Sequence, residues 1–433
     1  MKFSRRSSLM ILGSTALALS ASSKGNAANE QQPGKLSVLQ FGVKRDGKSD
    51  DTAAIQRALD AMGYYGGGIV EVPAGSYWIE GALNIPHGVT LQGTWKAPIG
   101  SMWKGGVAAG TNFMTMHGHG DANADPFILM SRSSSICGIA IYYPKQTPTN
   151  PPVPYPWAIS ADQDGHDCRV EDIFLANCYQ GINFGNYVVG RHLIRNIYGD
   201  ILHRGIFVNQ CLDVGRIENI HFWPYWGEGP ERPVRQYVQE EAIAFDFGRS
   251  DWQMCTNTFC WGYGIGYRFK TDGRGEYRGS TNGNFLGIAA DACSTAVKIE
   301  AASSPGLLIT NGQFVAFPGE AIIVDVAASN RGTVRFVNSA FWGPCNQIAR
   351  IKGEGTVGFS DCTFVRWARD DDRPAIECAG GKLLVRGCEF KEDKLQVVLT
   401  DKVQKAVIGN NILKGNLKVK YPENLNVSIS GNI

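Results

Sequence analysis

The sequence predicts an all-β fold, a right-handed parallel β-helix with a short N-terminal capping helix. Three observations carry this. The first is a recurring unit of alternating apolar residues, a turn residue, and a further apolar stretch. It reads RVEDIFL, LIRNIYG, RIENIHF, CTNTFCW, ITNGQFV, FVNSAFW, FSDCTFV, VRGCEFK and VIGNNIL from residue 169 onward. The second is the spacing of the turn residues Asp172, Asn196, Asn219, Asn257, Asn311, Asn338, Asp361, Gly387 and Asn410, most of which lie 23 to 27 residues apart. A fixed period in that range marks a solenoid. The third is a second strand signal in each period, among them GINFG, GIFVNQ, AIAFDFG, GIGYRFK and TAVKIE. One coil is then this strand, a loop, the strand before the turn residue, a tight turn, and a third strand.

Asparagine suits the repeated turn. It tolerates the left-handed conformation, and its side-chain amide bonds nearby backbone. On stacked coils those amides also bond one another as a ladder. The expected role of these asparagines is therefore structural. The gap from 257 to 311 holds two units, the first marked by Asn284. The step from 219 to 257 is too long for one unit and reads as a loop insertion.

The chain has 433 residues, 43% hydrophobic and 19% charged, enough for one long core. A formal net charge of +2 gives no global pull toward nucleic acid or membrane. Residues 1–28 read as an export signal. Arg5 and Arg6 precede the apolar run Leu9 to Leu19, which is too short to span a membrane, and small residues follow. The string SRRSSLMIL resembles a twin-arginine signal, so the expected destination is periplasmic or secreted. No membrane contact is expected after its removal. Eleven cysteines is an odd number, with no C-x-x-C. Cys362 and Cys388 share a register in successive coils and are expected to stack in the core. No metal site and no cofactor are indicated by any spacing.

The mature chain, 36–433, is expected to be one β-helix domain: a cap module over 36–95, a loop-rich insertion over 96–156, and regular coils over 157–433. In the cap, Ser49, Asp50 and Asp51 offer helix N-caps, and Ile55, Leu59 and Met62 make an apolar stripe. A helix there would cover the open end of the solenoid. The insertion carries NPPVPYP and the HGHGD string, His117 to Asp121, read as a polar loop.

The string FGVKRDGKSDDTAAIQRALD followed by GGGIVEVPAGSYWI is similar to the N-terminal module of pectate lyase superfamily 3 proteins. That group includes rhamnogalacturonase-like, epimerase-like and phage tailspike β-helices. The resemblance implies a pectin-lyase-like solenoid and a carbohydrate context, with these residues structural; it does not fix the reaction. The Gly-His-Gly of His117–Asp121 resembles a polygalacturonase motif, but it precedes the regular coils. The paired aspartates of that family are not in their usual order.

The long step reads HFWPYWGEGPERPVRQYVQEEAIAFDFGRSDWQ. Its aromatics Trp223, Tyr225, Trp226 and Trp252 are expected to line a groove and stack on sugar rings. Strand alternation points Asp246 outward, and it places Asn209, Asp246, Lys270 (with Arg268 beside it) and Glu300 in one outward file. Asp162 points out of an earlier strand, and His203 and Arg204 are within reach of the same groove. The expected partner is a polysaccharide or oligosaccharide, with Asn209 and Asp162 among the binding residues. The main expectation is a glycoside hydrolase, whose two carboxyls stand about 5 to 9.5 Å apart. Asp246 and Glu300, or a loop glutamate such as Glu228 or Glu241, would supply them. The first alternative is a lyase or epimerase on a uronate polymer, which needs a base and cations such as His203, Arg204, Arg268 and Lys270. The second is a non-catalytic carbohydrate-binding or structural β-helix. The residues leave oligomeric state open.

Overall fold

The computed structural model describes residues 34–96, 109–227, 229, 231–316 and 321–433, all within the unit Gly34–Ile433. The expected export signal and Glu228 lie outside them. Among the described residues two parallel sheets run the length of the solenoid. A front sheet has 13 strands, one per coil, and a back sheet has 24. Each back-sheet pass bends at one residue. All nine predicted turn residues take the left-handed conformation there, with φ from 46° at Asn338 to 62° at Gly387. The amides form the expected ladder in part: Asn196 donates to Asp172 (3.1 Å), Asn219 to Asn196 (2.8 Å) and Asn338 to Asn311 (2.8 Å).

Two details differ. Asn284 is not a turn residue: it sits in the strand Gly283–Leu286, and Gly287 bends the chain at φ 63°. A Cβ on Gly287 would lie 3.0 Å from Asn257 Oδ1, so glycine fits against the ladder where a side chain would crowd it. The coils also begin earlier than expected. Strands Thr111–Thr115, Ile128–Met130 and Ser135–Tyr142 fall inside the supposed insertion and bury Phe113, Ile128, Ile136 and Ile139. Proline and glycine between them mark corners of coils, not a departure from the solenoid.

The interior is filled by residues stacked coil on coil. Phe245 lies on Tyr267 (4.6 Å), Phe247 on Phe269 (5.2 Å) and Phe364 on Phe390 (4.6 Å), which follows from parallel register repeating the same inward position. Cys362 and Cys388 are buried in this stack as expected. Helix α1, Thr52–Tyr64, covers the first coil with Ile55, Leu59 and Met62 fully buried. Asp51 precedes it, but its carboxylate accepts from Lys44 and Arg45 N–H (2.6 and 3.0 Å), tying the preceding turn. The long step holds a helix the reading missed, α2, Pro233–Glu241. Proline in its first turn and Val234 and Val238 four apart are its signals.

Candidate functional site

The front sheet's outward face is set by its register. Ile243, Phe245 and Phe247 pair with Ile265, Tyr267 and Phe269, so Asp246 pairs with Arg268 on one side and Phe207 on the other. Lys298 continues that file. Asn209, Lys270 and Glu300 lie two residues further along their strands, in the next file, with Gly248 in the same coil as Asp246. The expected single file through Asp246 is therefore corrected: Asp246 stands beside Arg268, and Lys270 is offset. Two coils and two residues separate Asp246 from Glu300, roughly 9.6 Å across and 6.6 Å along, or roughly 12 Å between backbone positions. That exceeds the span of an inverting carboxyl pair.

Asp246 is fully buried. Arg268 Nε and Nη2 donate to Oδ1 and Oδ2 at 2.9 and 2.7 Å. Arg204 Nε donates to Oδ2 at 3.1 Å, and its Nη2 reaches the same oxygen. Burial pushes this carboxyl up, but the Arg268 hydrogen bonds and the charges of Arg204, Arg268 and Lys270 outweigh it and hold the group below the usual carboxylate range. Asp246 is thus a fixed anion, unsuited to donating a proton. It holds two guanidiniums in place.

Those cations meet an aromatic floor. The Arg204 guanidinium lies 4.4 Å from the centre of the Phe207 ring and 5.7 Å from that of Trp157, and the two rings stack at 6.2 Å. Lys270 Nζ sits 5.2 Å from the same Phe207 ring and pairs with Asp272 at 2.5 Å. A cleft of about 550 Å³ opens over this floor, lined by Arg204, Phe207, Lys270, Asp272 and Arg274, with the exposed Tyr187 at its wall. Arg204, Lys270 and Arg274 outnumber Asp272 in its lining, so the cleft carries surplus positive charge. The sequence reading did not single out Trp157, Tyr187, Asp272 or Arg274.

His203 precedes Arg204 and stacks on Tyr179 at 4.7 Å, nearly parallel. Its Nδ1 is 3.0 Å from the hydroxyl of Tyr237 on α2, which lies 3.1 Å from the Tyr179 hydroxyl. Burial lowers the His203 pKa and the Arg204 charge lowers it further, against a smaller upward pull from Glu241. The imidazole is therefore neutral at pH 7 and able to accept a proton. The insertion is pinned here by Asp200, which accepts from Gly227 N–H (2.7 Å) and faces the buried Arg235 of α2 at 3.5 Å. Burial raises the Asp200 pKa despite that partner.

Asn209 also lines this cleft, while the other expected residues are not gathered in it. Asn209 is buried, its amide spent on Gly185 O (3.2 Å) and Arg249 N–H (3.0 Å). Asp162 accepts from Ser131 and from Asp164 N–H (2.8 Å), closing a corner. Trp223 stacks on Phe259 (6.2 Å) and leans on Trp261 (5.2 Å), on the outer face of the back sheet. Tyr225 bonds His221 Nδ1 (3.0 Å) on that face. Trp226 packs half-buried against the core. Trp252 is 63% exposed at the opposite corner of its coil. Nearness in sequence misled here, because one coil shows three faces in about 25 residues. In the HGHGD loop, His117 Nε2 bonds Asp125 O (2.8 Å) and His119 packs on Tyr155 (5.3 Å).

Residues 36–205 match the family described as rhamnogalacturonase A/epimerase, pectate lyase-like. Among curated proteins, alginate lyase 7 of Azotobacter vinelandii is 53% identical over 57 residues, 13% of this chain and 7% of that protein. A mannuronan C5-epimerase of the same organism is 47% identical over 65 residues, 13% of this chain and 4% of that protein. The chain thus spans less than a tenth of the length of either relative. Among solved structures, a tailspike protein of E. coli bacteriophage HK620 in complex with a pentasaccharide aligns with a TM-score of 0.60 at 10% identity, over 92% of this chain and 78% of that one. The N-terminal fragment of bacteriophage Phi29 gene product 12 aligns at 0.59 and 13% identity, over 92% and 70%. These likenesses agree with the β-helix fold.

Proposed function

We propose that this chain, whose residues 36–205 match the family described as rhamnogalacturonase A/epimerase, pectate lyase-like, is an exported lyase or epimerase acting on a uronate-containing polysaccharide. The observation that carries this is the double-arginine clamp on buried Asp246, beside Lys270 and above an aromatic floor. A guanidinium held by a buried carboxylate is a preorganised partner for a second carboxylate, that of the uronate. Buried Phe207 and Trp157 hold the Arg204 guanidinium over their rings, and the exposed ring of Tyr187 is the aromatic surface the cleft offers a sugar.

Both reactions begin with loss of the proton next to the uronate carboxylate. The electron pair moves into the carboxylate, and the cations around Asp246 neutralise the added charge. Neutral His203 is the proton acceptor in this reading, with Tyr237 fixing its ring. In a lyase the pair then expels the glycosidic oxygen, which takes up a proton from His203 or water and leaves as a hydroxyl, and a carbon–carbon double bond remains. In an epimerase a proton returns to the opposite face. The names of the relatives, alginate lyase and mannuronan C5-epimerase, support this over hydrolysis. So does the ionised, sealed state of Asp246, which leaves the expected carboxyl pair without its acid.

Incubation with polymannuronate, polyguluronate and polygalacturonate in deuterated water tests the proposal. A lyase yields new reducing ends with the ultraviolet absorbance of unsaturated ends. An epimerase yields deuterium at the carbon bearing the carboxylate with no new ends. New reducing ends without that absorbance would restore the hydrolase reading.

A further inference from the structure

A second cleft, of about 500 Å³, lies where the corner turns enter the back sheet. Trp252 stands in it, 63% exposed, with a left-handed backbone at φ 59°. Earlier coils take that conformation at this corner too: Asp167 (φ 62°) and Arg191 (φ 59°) occupy the equivalent place. Those two gain an ion pair with each other at 2.6 Å. Trp252 does not. A bulky residue in the left-handed region costs about 1–2 kcal/mol, and an exposed indole forgoes the stabilisation of burial. Its backbone N–H is held by Asn282 Oδ1 at 3.1 Å, but among the described residues its ring has no aromatic partner.

Around the indole lie the apolar surfaces of Pro305 and Leu308 and the polar groups of Asp251, Asn282 and Asn284. An apolar plate edged by amides matches a pyranose, which has an apolar C–H face and hydroxyls at its rim. Among the described residues no lysine or arginine lines this cleft, and Asp251 is already bonded by Arg249 (3.1 Å) and Asn282 (3.3 Å). A uronate would find no counter-charge here, in contrast to the cleft over Asp246. We propose that the Trp252 cleft is a stacking subsite for an uncharged pyranose, separate from the cationic cleft on the front sheet. It would hold a neutral stretch of glycan whatever chemistry the front sheet performs.

Affinity electrophoresis of the whole protein in gels containing dextran, galactomannan, xyloglucan or arabinogalactan tests this, with oligomannuronate as competitor. The expected result is retardation by at least one neutral polymer, undiminished by oligomannuronate. Trp252→Gly should weaken it at least about tenfold, a loss of roughly 1.4 kcal/mol, while Trp252→Phe keeps most of it. Glycine also relieves the left-handed strain, so its melting temperature should not fall, which separates lost binding from lost fold. No retardation by any neutral polymer, undiminished retardation of Trp252→Gly, or displacement by oligomannuronate would each overturn the proposal. Absence of turnover on uronate polymers bears on the front-sheet cleft and leaves this measurement intact.

Discussion

Arg268 grips Asp246 from the adjacent coil through two hydrogen bonds of 2.9 and 2.7 Å, and the carboxylate it grips is wholly buried. Parallel register puts the two side chains on neighbouring rungs, so the pair costs no loop and little side-chain freedom. Arg204 closes the clamp from the preceding coil. The consequence is a division of labour: Asp246 organises, and Arg204, one of the two guanidiniums it holds, lines the cleft.

Replacing Asp246 with Asn should leave two guanidiniums without their anion. Breaking a buried pair costs about 3–5 kcal/mol, and the partial exposure of both arginines reduces this to about 2 kcal/mol or more. The sign with pH is set by the lowered pKa of Asp246. Its contribution is fully present above the unfolded carboxylate value of about 3.9 and is lost as pH falls through the lower folded value. The melting-temperature gap between parent and variant should therefore be constant from pH 5 to 8 and close only in strong acid. A gap that closes near pH 6 would mean Asp246 titrates in the working range.

Arg268→Lys tests whether planar, two-point geometry matters or only charge. Lysine keeps the charge but cannot bond both Asp246 oxygens in one plane. The expected outcome is a raised KM for a uronate polymer by about tenfold, some 1.4 kcal/mol, with folding retained. Parent-like kinetics would remove the clamp from substrate recognition.

Much of this was legible in the sequence. The turn residues from Asp172 to Asn410 announced the coil, since few non-glycine residues accept the left-handed bend they all adopt. The Asp246–Arg268 contact was also legible, because aligning the inward triads Ile243, Phe245, Phe247 and Ile265, Tyr267, Phe269 pairs the residues between them. Reading the file through Lys270 instead slipped it by two. What the sequence did not offer is which corner of a coil a loop leaves from. Trp223 and Trp252 belong to successive turns of the chain and face different sides. Trp157 belongs to the site through coil stacking alone.

His203 is expected to set the acid side of the activity profile. Its folded pKa lies below 6.5, so the neutral, proton-accepting form persists below that pH. Activity on a uronate polymer should hold steady from pH 8 to 6.5 and fall only as pH drops through the lowered value. His203→Gln should reduce turnover by about 10² to 10⁴ with folding retained. Tyr237→Phe removes the hydroxyl at Nδ1 while keeping the ring against the core, so it should cost less than the histidine change. Turnover of the His203→Gln variant within a few-fold of the parent would assign the base elsewhere.

Asn338 separates the two contributions of the ladder. Its backbone is at φ 46°, and its side chain is exposed, donating to Asn311 at 2.8 Å. The amide bond is therefore worth little beyond about 0.5–1.5 kcal/mol. Leucine in the left-handed region adds about 1–2 kcal/mol of steric cost, whereas glycine adds none. Asn338→Leu should accordingly lower stability by about 2 kcal/mol, and Asn338→Gly by clearly less, measured by denaturant unfolding of the whole protein. Equal losses for the two variants would assign the effect to the hydrogen bond; a larger loss for glycine would contradict the left-handed strain argument outright. Neither change touches the cleft over Asp246, since the ladder runs along the back sheet, so KM for any substrate should stay at the parent value.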